Sequence, residues 1–146
     1  MTGKTNDQNH QTRILIVDDH PGNRLVASTL VEECGCGFAL AQNGQEAVEL
    51  VKTSDDFDAI LMDVQMPIMD GLEATMRIRE HEKKAGKARV PIIALTAHPF
   101  PSDQQSCLAA GMDDYLYKPL DPDKLKNLIT RVILRGGGGT ISVANR

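Results

Sequence analysis

Residues 59–71 read AILMDVQMPIMDG. Four apolar residues run straight into an acid, Asp63, and then Pro67 and the pair Asp70-Gly71 end any regular structure. An unbroken apolar run of this length, bounded by turn formers, predicts a strand buried on both faces, the kind found in parallel sheets. An ionised carboxylate at the end of such a run is costly unless something pairs with it. Asp63 is therefore either a turn acid that happens to follow a strand or the centre of a site.

The same pattern recurs along the chain. RILIVDD (13–19), VPIIALTA (90–97) and DDYLYKP (113–119) are short apolar runs that end in polar residues, and GFALAQNG (37–44) is a weaker strand and turn. Helical rhythm fills the gaps between them. Over 21–35 it places apolar residues at Leu25, Val26, Thr29–Leu30 and Cys34, closed by Gly35; over 44–54 it places Ala47, Val48, Leu50 and Val51 inward. Over 70–87 it places Leu72, Met76, Ile78 and Arg79 on the helix, with the charge run EHEKKAGKAR (80–89) as a solvated helix end and loop. A short helix over 102–112 has Ser102 as its expected N-cap, and a last one follows Asp121 as cap with Pro122 in first position. Five strand–helix units in this order predict a flavodoxin-like, doubly wound, five-stranded parallel sheet with helices on both faces, a three-layer α/β/α sandwich.

With 146 residues the chain suits one domain. The expected organisation is a disordered polar tail over 1–12, a domain over 13–135, and a Gly-rich flexible tail or linker, GGGGTISVANR, over 136–146. A net charge of −4, with no basic cluster, argues against direct nucleic-acid binding. No apolar stretch reaches membrane-spanning length and the N-terminus lacks a signal-peptide core, so no membrane contact and a cytoplasmic location are expected. Cys34, Cys36 and Cys107 lack a zinc-site spacing and are expected as small reduced apolar residues. TGKT (2–5) imitates the end of a P-loop, but no strand precedes it and the upstream glycine is missing.

The polar residues carry the functional signal. Asp18 and Asp19, Asp63, Thr96 and Lys118 each follow an apolar strand. In a parallel sheet those carboxyl ends share one edge, where ligands bind beside the topological switch point. Singly, these acids could be helix caps, and Asp18 or Asp19 could cap the helix beginning near Gly22. Together they form a set. Clustered carboxylates are held ionised most simply by a hard cation such as Mg²⁺, and an aspartate can attack phosphorus. Phosphoryl transfer asks mainly for positioning and charge balance, which an ammonium, a hydroxyl and a divalent cation supply.

The segments ILIVDDHPGNR, AILMDVQMPIMDG, PIIALTA and DDYLYKP, in this order, resemble the receiver domain of two-component signalling, most closely the receivers of hybrid sensor histidine kinases. The resemblance covers Arg13 to Arg135. It implies Asp63 as the phosphorylated residue and Asp18, Asp19 and Asp63 as Mg²⁺ ligands, with Mn²⁺ as a substitute. A backbone carbonyl of the following loop, at Val64 or Gln65 and taken as that of Gln65, would complete the set. It implies Lys118 and Thr96 as phosphate-binding, Pro119 in cis, and Thr96 and Tyr115 as a switch pair. Gln65 and His98 would border the path of a hydrolytic water and tune dephosphorylation. The expected donors are a histidine kinase or a histidine phosphotransfer domain, with a kinase attached covalently in the full-length protein as one arrangement. The expected activity is that of a signalling module that catalyses only its own phosphorylation and dephosphorylation.

Competing readings weigh less. A haloacid-dehalogenase-type phosphatase also uses an aspartyl nucleophile, but wants an acid two residues later, where Gln65 stands. A flavodoxin-like FMN binder would need a phosphate-cradling loop in place of DDHPGN, and a receiver that never uses phosphate would not need the full set. His20 and His98 are read as loop residues, since hard cations prefer oxygen. Nothing supports His10 as a phosphodonor.

Overall fold

The computed structural model describes residues 11–54, 56–97 and 101–134. Five strands and five helices alternate: β1 (Arg13–Val17), α1 (Pro21–Glu33), β2 (Gly37–Ala41), α2 (Gly44–Thr53), β3 (Ala59–Asp63), α3 (Gly71–Ala85), β4 (Ile92–Thr96), α4 (Pro101–Ala110), β5 (Asp114–Tyr117) and α5 (Pro122–Leu134). All neighbouring strands pair in parallel, in the order β2-β1-β3-β4-β5. The chain leaves β1 in one direction to form β2 and returns to the other side to form β3. The switch point therefore lies between β1 and β3, whose carboxyl ends carry Asp18-Asp19 and Asp63.

Alternation within each apolar strand divides the core in two. Ile14, Ile16, Leu61, Ile93 and Leu95 pack with Ala27, Leu30 and Val31 of α1 and with Leu125, Leu128, Ile129 and Val132 of α5. Leu15, Val17, Ile60, Met62, Ile92 and Ala94 pack on the other face with residues of α2 and α3 and with Cys107 and Met112. Cys36 and Cys107 are buried and free, and burial is the leading cause that raises both thiols above their ordinary range. Both belong to the packing, as expected of a reduced protein.

The fold sets the helix faces and corrects two expectations. Leu25, Val26 and Thr29 of α1 face out, Leu25 at 67% exposure, while Ala27, Ser28, Leu30 and Val31 are buried. Apolar residues lie on both faces of this helix, so periodicity alone does not choose the phase. Met76 of α3 is likewise exposed. Ser102 lies inside α4 instead of capping it. The charge run 80–89 is not wholly solvated: Glu82 is buried and Arg89 holds Asp113, because both join a network around the buried Arg79. The expected cap at Asp121 forms, accepting from Asp123 N at 2.9 Å, and Asn43 and Asp70 also cap their helices, accepting from Glu46 N and Glu73 N at 2.9 Å each. At the N-terminal boundary, the Thr12 carbonyl accepts from Gly37 N at 2.9 Å. The tails over 1–10 and 136–146 lie outside the described residues.

Candidate functional site

Asp18 follows the last residue of β1 and is almost wholly buried. Its Oδ1 accepts from His20 N at 2.9 Å and from Asn23 Nδ2 at 3.4 Å, and its carbonyl accepts from Arg24 Nη1 at 2.7 Å. Neither Asp18 nor Asp19 caps α1; His20 occupies that position without a side-chain cap, and Pro21 opens the helix. Freed from capping, Asp18 is aimed by α1 into the edge of the sheet. Arg24 and Asn23 were not singled out in the sequence, because nothing in their spacing marks them as partners of an acid five or six residues upstream.

Asp63, the last residue of β3, is 4% exposed. Lys118 Nζ lies 3.0 Å from Asp63 Oδ1 and 3.2 Å from Asp18 Oδ2. Lys118 is delivered by the end of β5, where its backbone N–H donates to the Thr96 carbonyl at 2.8 Å and the Lys118–Pro119 peptide is cis. Burial drives the Asp63 carboxyl from an ordinary 3.8 to about 6; the Asp18 charge adds to this, and Lys118 only partly offsets it. Burial alone would pull Lys118 down, but its hydrogen bond to Asp63 and the two carboxylate charges outweigh it and hold the ammonium above its ordinary value.

Carboxylate oxygens of Asp18, Asp19 and Asp63 lie within 4.8 Å of one another, the one such group of metal-capable side chains among the described residues. Asp18 Oδ2 is buried and faces the Lys118 ammonium at 3.2 Å. Three carboxylates gathered this closely, two of them buried and that of Asp19 exposed, fit a hard divalent cation with open positions for water. An all-oxygen set does not by itself separate Mg²⁺ from Mn²⁺.

These groups line a cleft of about 190 Å³ together with His20, Asn23, Val64, Gln65, Thr96 and Ala97. Gln65 is exposed on the rim, and its N–H reaches Asp63 Oδ1 at 3.4 Å. Thr96 ends β4, buried, in register with Tyr117; Tyr115 is in register with Ala94. The two tyrosine rings lie 5.5 Å apart on one face of β5, tilted by 51°. Tyr117 is the residue opposite Thr96, and Gln104 Nε2 of α4 donates to its hydroxyl. Period-2 alternation put both tyrosines on one face, and the register between strands was the missing information. His98 lies outside the described residues.

The loop beyond Asp63 is clamped from both sides. Val64 N donates to Leu95 O, Gly71 N to Val64 O and Gly44 N to Met69 O. A Cβ on Gly71 would stand 2.1 Å from the Asp63 carbonyl oxygen and 3.0 Å from Met62 Cγ, so only glycine lets α3 start against the strand. Gly71→Ala is expected to cost roughly 1–3 kcal/mol by overpacking. Urea unfolding checks this, and a variant matching the wild-type midpoint would refute the clamp.

Comparison with known proteins agrees with this geometry. The family model of the response regulator receiver domain matches residues 14–130. The chain belongs to the response-regulator receiver family. This receiver is 43% identical over 119 residues to Sensor protein GacS of Pseudomonas syringae pv. syringae, covering 82% of the chain and 13% of GacS. It is 40% identical over 121 residues to Hybrid signal transduction histidine kinase L of Dictyostelium discoideum, covering 82% of the chain and 7% of that kinase. It thus spans a small fraction of the curated relatives it matches. Among solved structures, the receiver domain of sensor histidine kinase PA1611 from Pseudomonas aeruginosa, with magnesium in its active-site cleft, is 40% identical. Its TM-score is 0.75, covering 84% of this chain and 98% of that one. A chain of the co-crystal of the Saccharomyces cerevisiae phosphotransfer protein Ypd1 with the receiver domain of Ssk1 is 34% identical. That match has a TM-score of 0.82 and covers 87% of this chain and 92% of the other. The phosphatase alternative finds no support: the matching family model is that of the receiver domain, and the solved structure from Pseudomonas aeruginosa is a receiver domain.

Proposed function

We propose that Asp63 is the phosphoacceptor of a phosphorelay, taking its phosphoryl group from a phosphohistidine on a histidine kinase or phosphotransfer protein. The observation that carries this reading is the meeting of Asp63, Asp18 and Lys118 Nζ within 3.2 Å at the switch point of the sheet. An Asp63 Oδ forms the new bond to phosphorus as the N–P bond of the phosphohistidine breaks, and the imidazole nitrogen leaves with that electron pair. Asp18, Asp19, Asp63 and the Gln65 carbonyl would hold Mg²⁺, which when bound neutralises phosphoryl-oxygen charge and relieves the crowding of the acids. Lys118 pairs with a phosphoryl oxygen. The Thr96 hydroxyl donates to another, and its movement is relayed through the tyrosine face of β5, with Tyr115 as the switch residue. Gln65, on the rim, and His98 tune how readily water reaches the phosphoryl group.

The receiver proper is residues 13–135, with the Gly-rich segment 136–146 as tail or linker to whatever the full-length protein attaches, a hybrid kinase being the arrangement the relatives support. The outward Leu25 and Val26 of α1 belong to the surface a donor protein covers. No helix among the described residues is long and apolar enough to cross a membrane. We read the domain as a cytoplasmic signalling module whose only catalysis is its own phosphorylation and dephosphorylation. Incubation with acetyl phosphate and Mg²⁺, followed by intact mass, is expected to add one phosphoryl group. No addition, or an addition that survives Asp63→Asn, overturns the assignment; sustained turnover of phosphate monoesters overturns the signalling reading.

A further inference from the structure

Ile68 is the one non-glycine residue, among those described, with a backbone in the left-handed region, at φ 72°. It centres a tight turn in which Met69 N donates to Pro67 O at 2.7 Å. A β-branched side chain tolerates this conformation worst, and glycine or asparagine would serve the same turn with less strain. The turn itself is imposed by its anchors: Met69 is buried, its carbonyl accepts from Gly44 N, and Gly71 N bonds Val64 O. The isoleucine gains nothing from the interior in return, because it is 80% exposed, the most exposed of the large apolar residues described. The chain thus carries backbone strain and an apolar side chain in water at one position, without an intramolecular compensation.

The position of that residue indicates where the compensation lies. Ile68 stands on the loop that starts at Asp63 and lines the cleft through Val64 and Gln65. The other wall includes Asn23 of α1, two residues before the outward Leu25 and Val26. Asp63 is buried, so a protein that brings a phosphorylated side chain to it must press its surrounding surface onto these rims. We propose that Ile68 is a docking and specificity residue that packs on apolar surface beside the phosphohistidine of a phosphotransfer protein. The proposal rests on Asp63 being the phosphoacceptor, and it assigns Ile68 no contact with the reacting atoms.

The test compares Ile68→Asn, Ile68→Gly and Ile68→Val with the wild type, using two donors with Mg²⁺: acetyl phosphate, which needs no docking, and phosphorylated Ypd1. With acetyl phosphate all three variants are expected to match the wild-type rate. With phosphorylated Ypd1, Asn and Gly are expected to lose about tenfold or more in transfer rate, the scale of one lost apolar contact, while Val retains it. The urea midpoint of Ile68→Asn is expected at or above that of the wild type. Unchanged transfer from phosphorylated Ypd1 to the Asn and Gly variants overturns the proposal. So does a wild type that accepts from acetyl phosphate and not from phosphorylated Ypd1, and a lowered Asn midpoint removes the strain on which it stands. Failure of acetyl phosphate to modify the wild type would instead overturn the assignment of Asp63.

Discussion

Replacing Arg79 by Met is expected to destabilise the receiver by about 3–5 kcal/mol, the loss that follows when one member of a buried, fully bonded charge group is removed. The guanidinium is 9% exposed and forms hydrogen bonds through all three of its nitrogens. Its Nε donates to Gly111 O at 2.9 Å, Nη1 to both Glu82 oxygens and to Val90 O, and Nη2 to Asp113 Oδ2 at 2.7 Å. The two acids are bonded in turn: Val90 N donates to Glu82, and Ile92 N and Arg89 donate to Asp113. Methionine would fill the volume but leave the buried Glu82 carboxylate without its cation and Asp113 with Arg89 as its remaining ion pair. Arg79→Lys is expected to recover only part of the loss, because a single ammonium cannot reproduce a planar fork that bonds in several directions. Urea unfolding at neutral pH measures this, and a loss under about 1 kcal/mol would show that the network behaves as an exposed pair. Arg79 ties α3 to the start of β4 and to the turn before β5, at the amino ends of the strands. Protein that remains folded should therefore gain its phosphoryl group at the wild-type rate.

Asp63 sets the second large effect. A carboxyl raised by burial from 3.8 in an ordinary setting to about 6 binds its proton more tightly in the folded chain than in the unfolded one. Its contribution is thus fully present below about pH 4 and is lost as pH rises towards and through about 6, with a displacement worth about 3 kcal/mol. The metal-free protein at neutral pH carries that cost, and Asp63→Asn, which has no proton to lose, does not. The stability difference between variant and wild type is expected to open between about pH 4 and pH 6 and to stay constant above. Mg²⁺ should narrow it at neutral pH by stabilising the ionised wild type, and do little near pH 4, where protons occupy the site. Denaturation of both proteins across pH, with and without Mg²⁺, measures this; a difference that does not change with pH would contradict it.

Strand boundaries, their parallel pairing and the set of polar residues at their ends were legible in the sequence, because each apolar run stops abruptly and a helix between successive strands makes them parallel; the strand order was not. The cap at Asp121 was as plain, being a local hydrogen bond made two residues away. The outward face of α1 was not legible: Leu25 and Val26 look like core until the sheet and α5 take Ala27, Leu30 and Val31 instead. Nor was the buried role of Glu82, since charge runs are usually solvated and its partner Asp113 comes from a distant turn.

For the site, the sequence alone determined which side chains reach the sheet's carboxyl edge, because a run such as AILMD must be buried and must therefore deliver Asp63 where it ends. Only the tertiary structure decided how they act on one another. Lys118 contacts two acids that lie far from it in the chain, Tyr117 rather than Tyr115 stands opposite Thr96, and Ile68 is held in a strained turn by anchors on α2 and β3. The physical reason is common to all three. Burial is specified residue by residue, whereas a charge pair, a strand register or a forced backbone angle depends on the distance between elements that meet only in the folded chain.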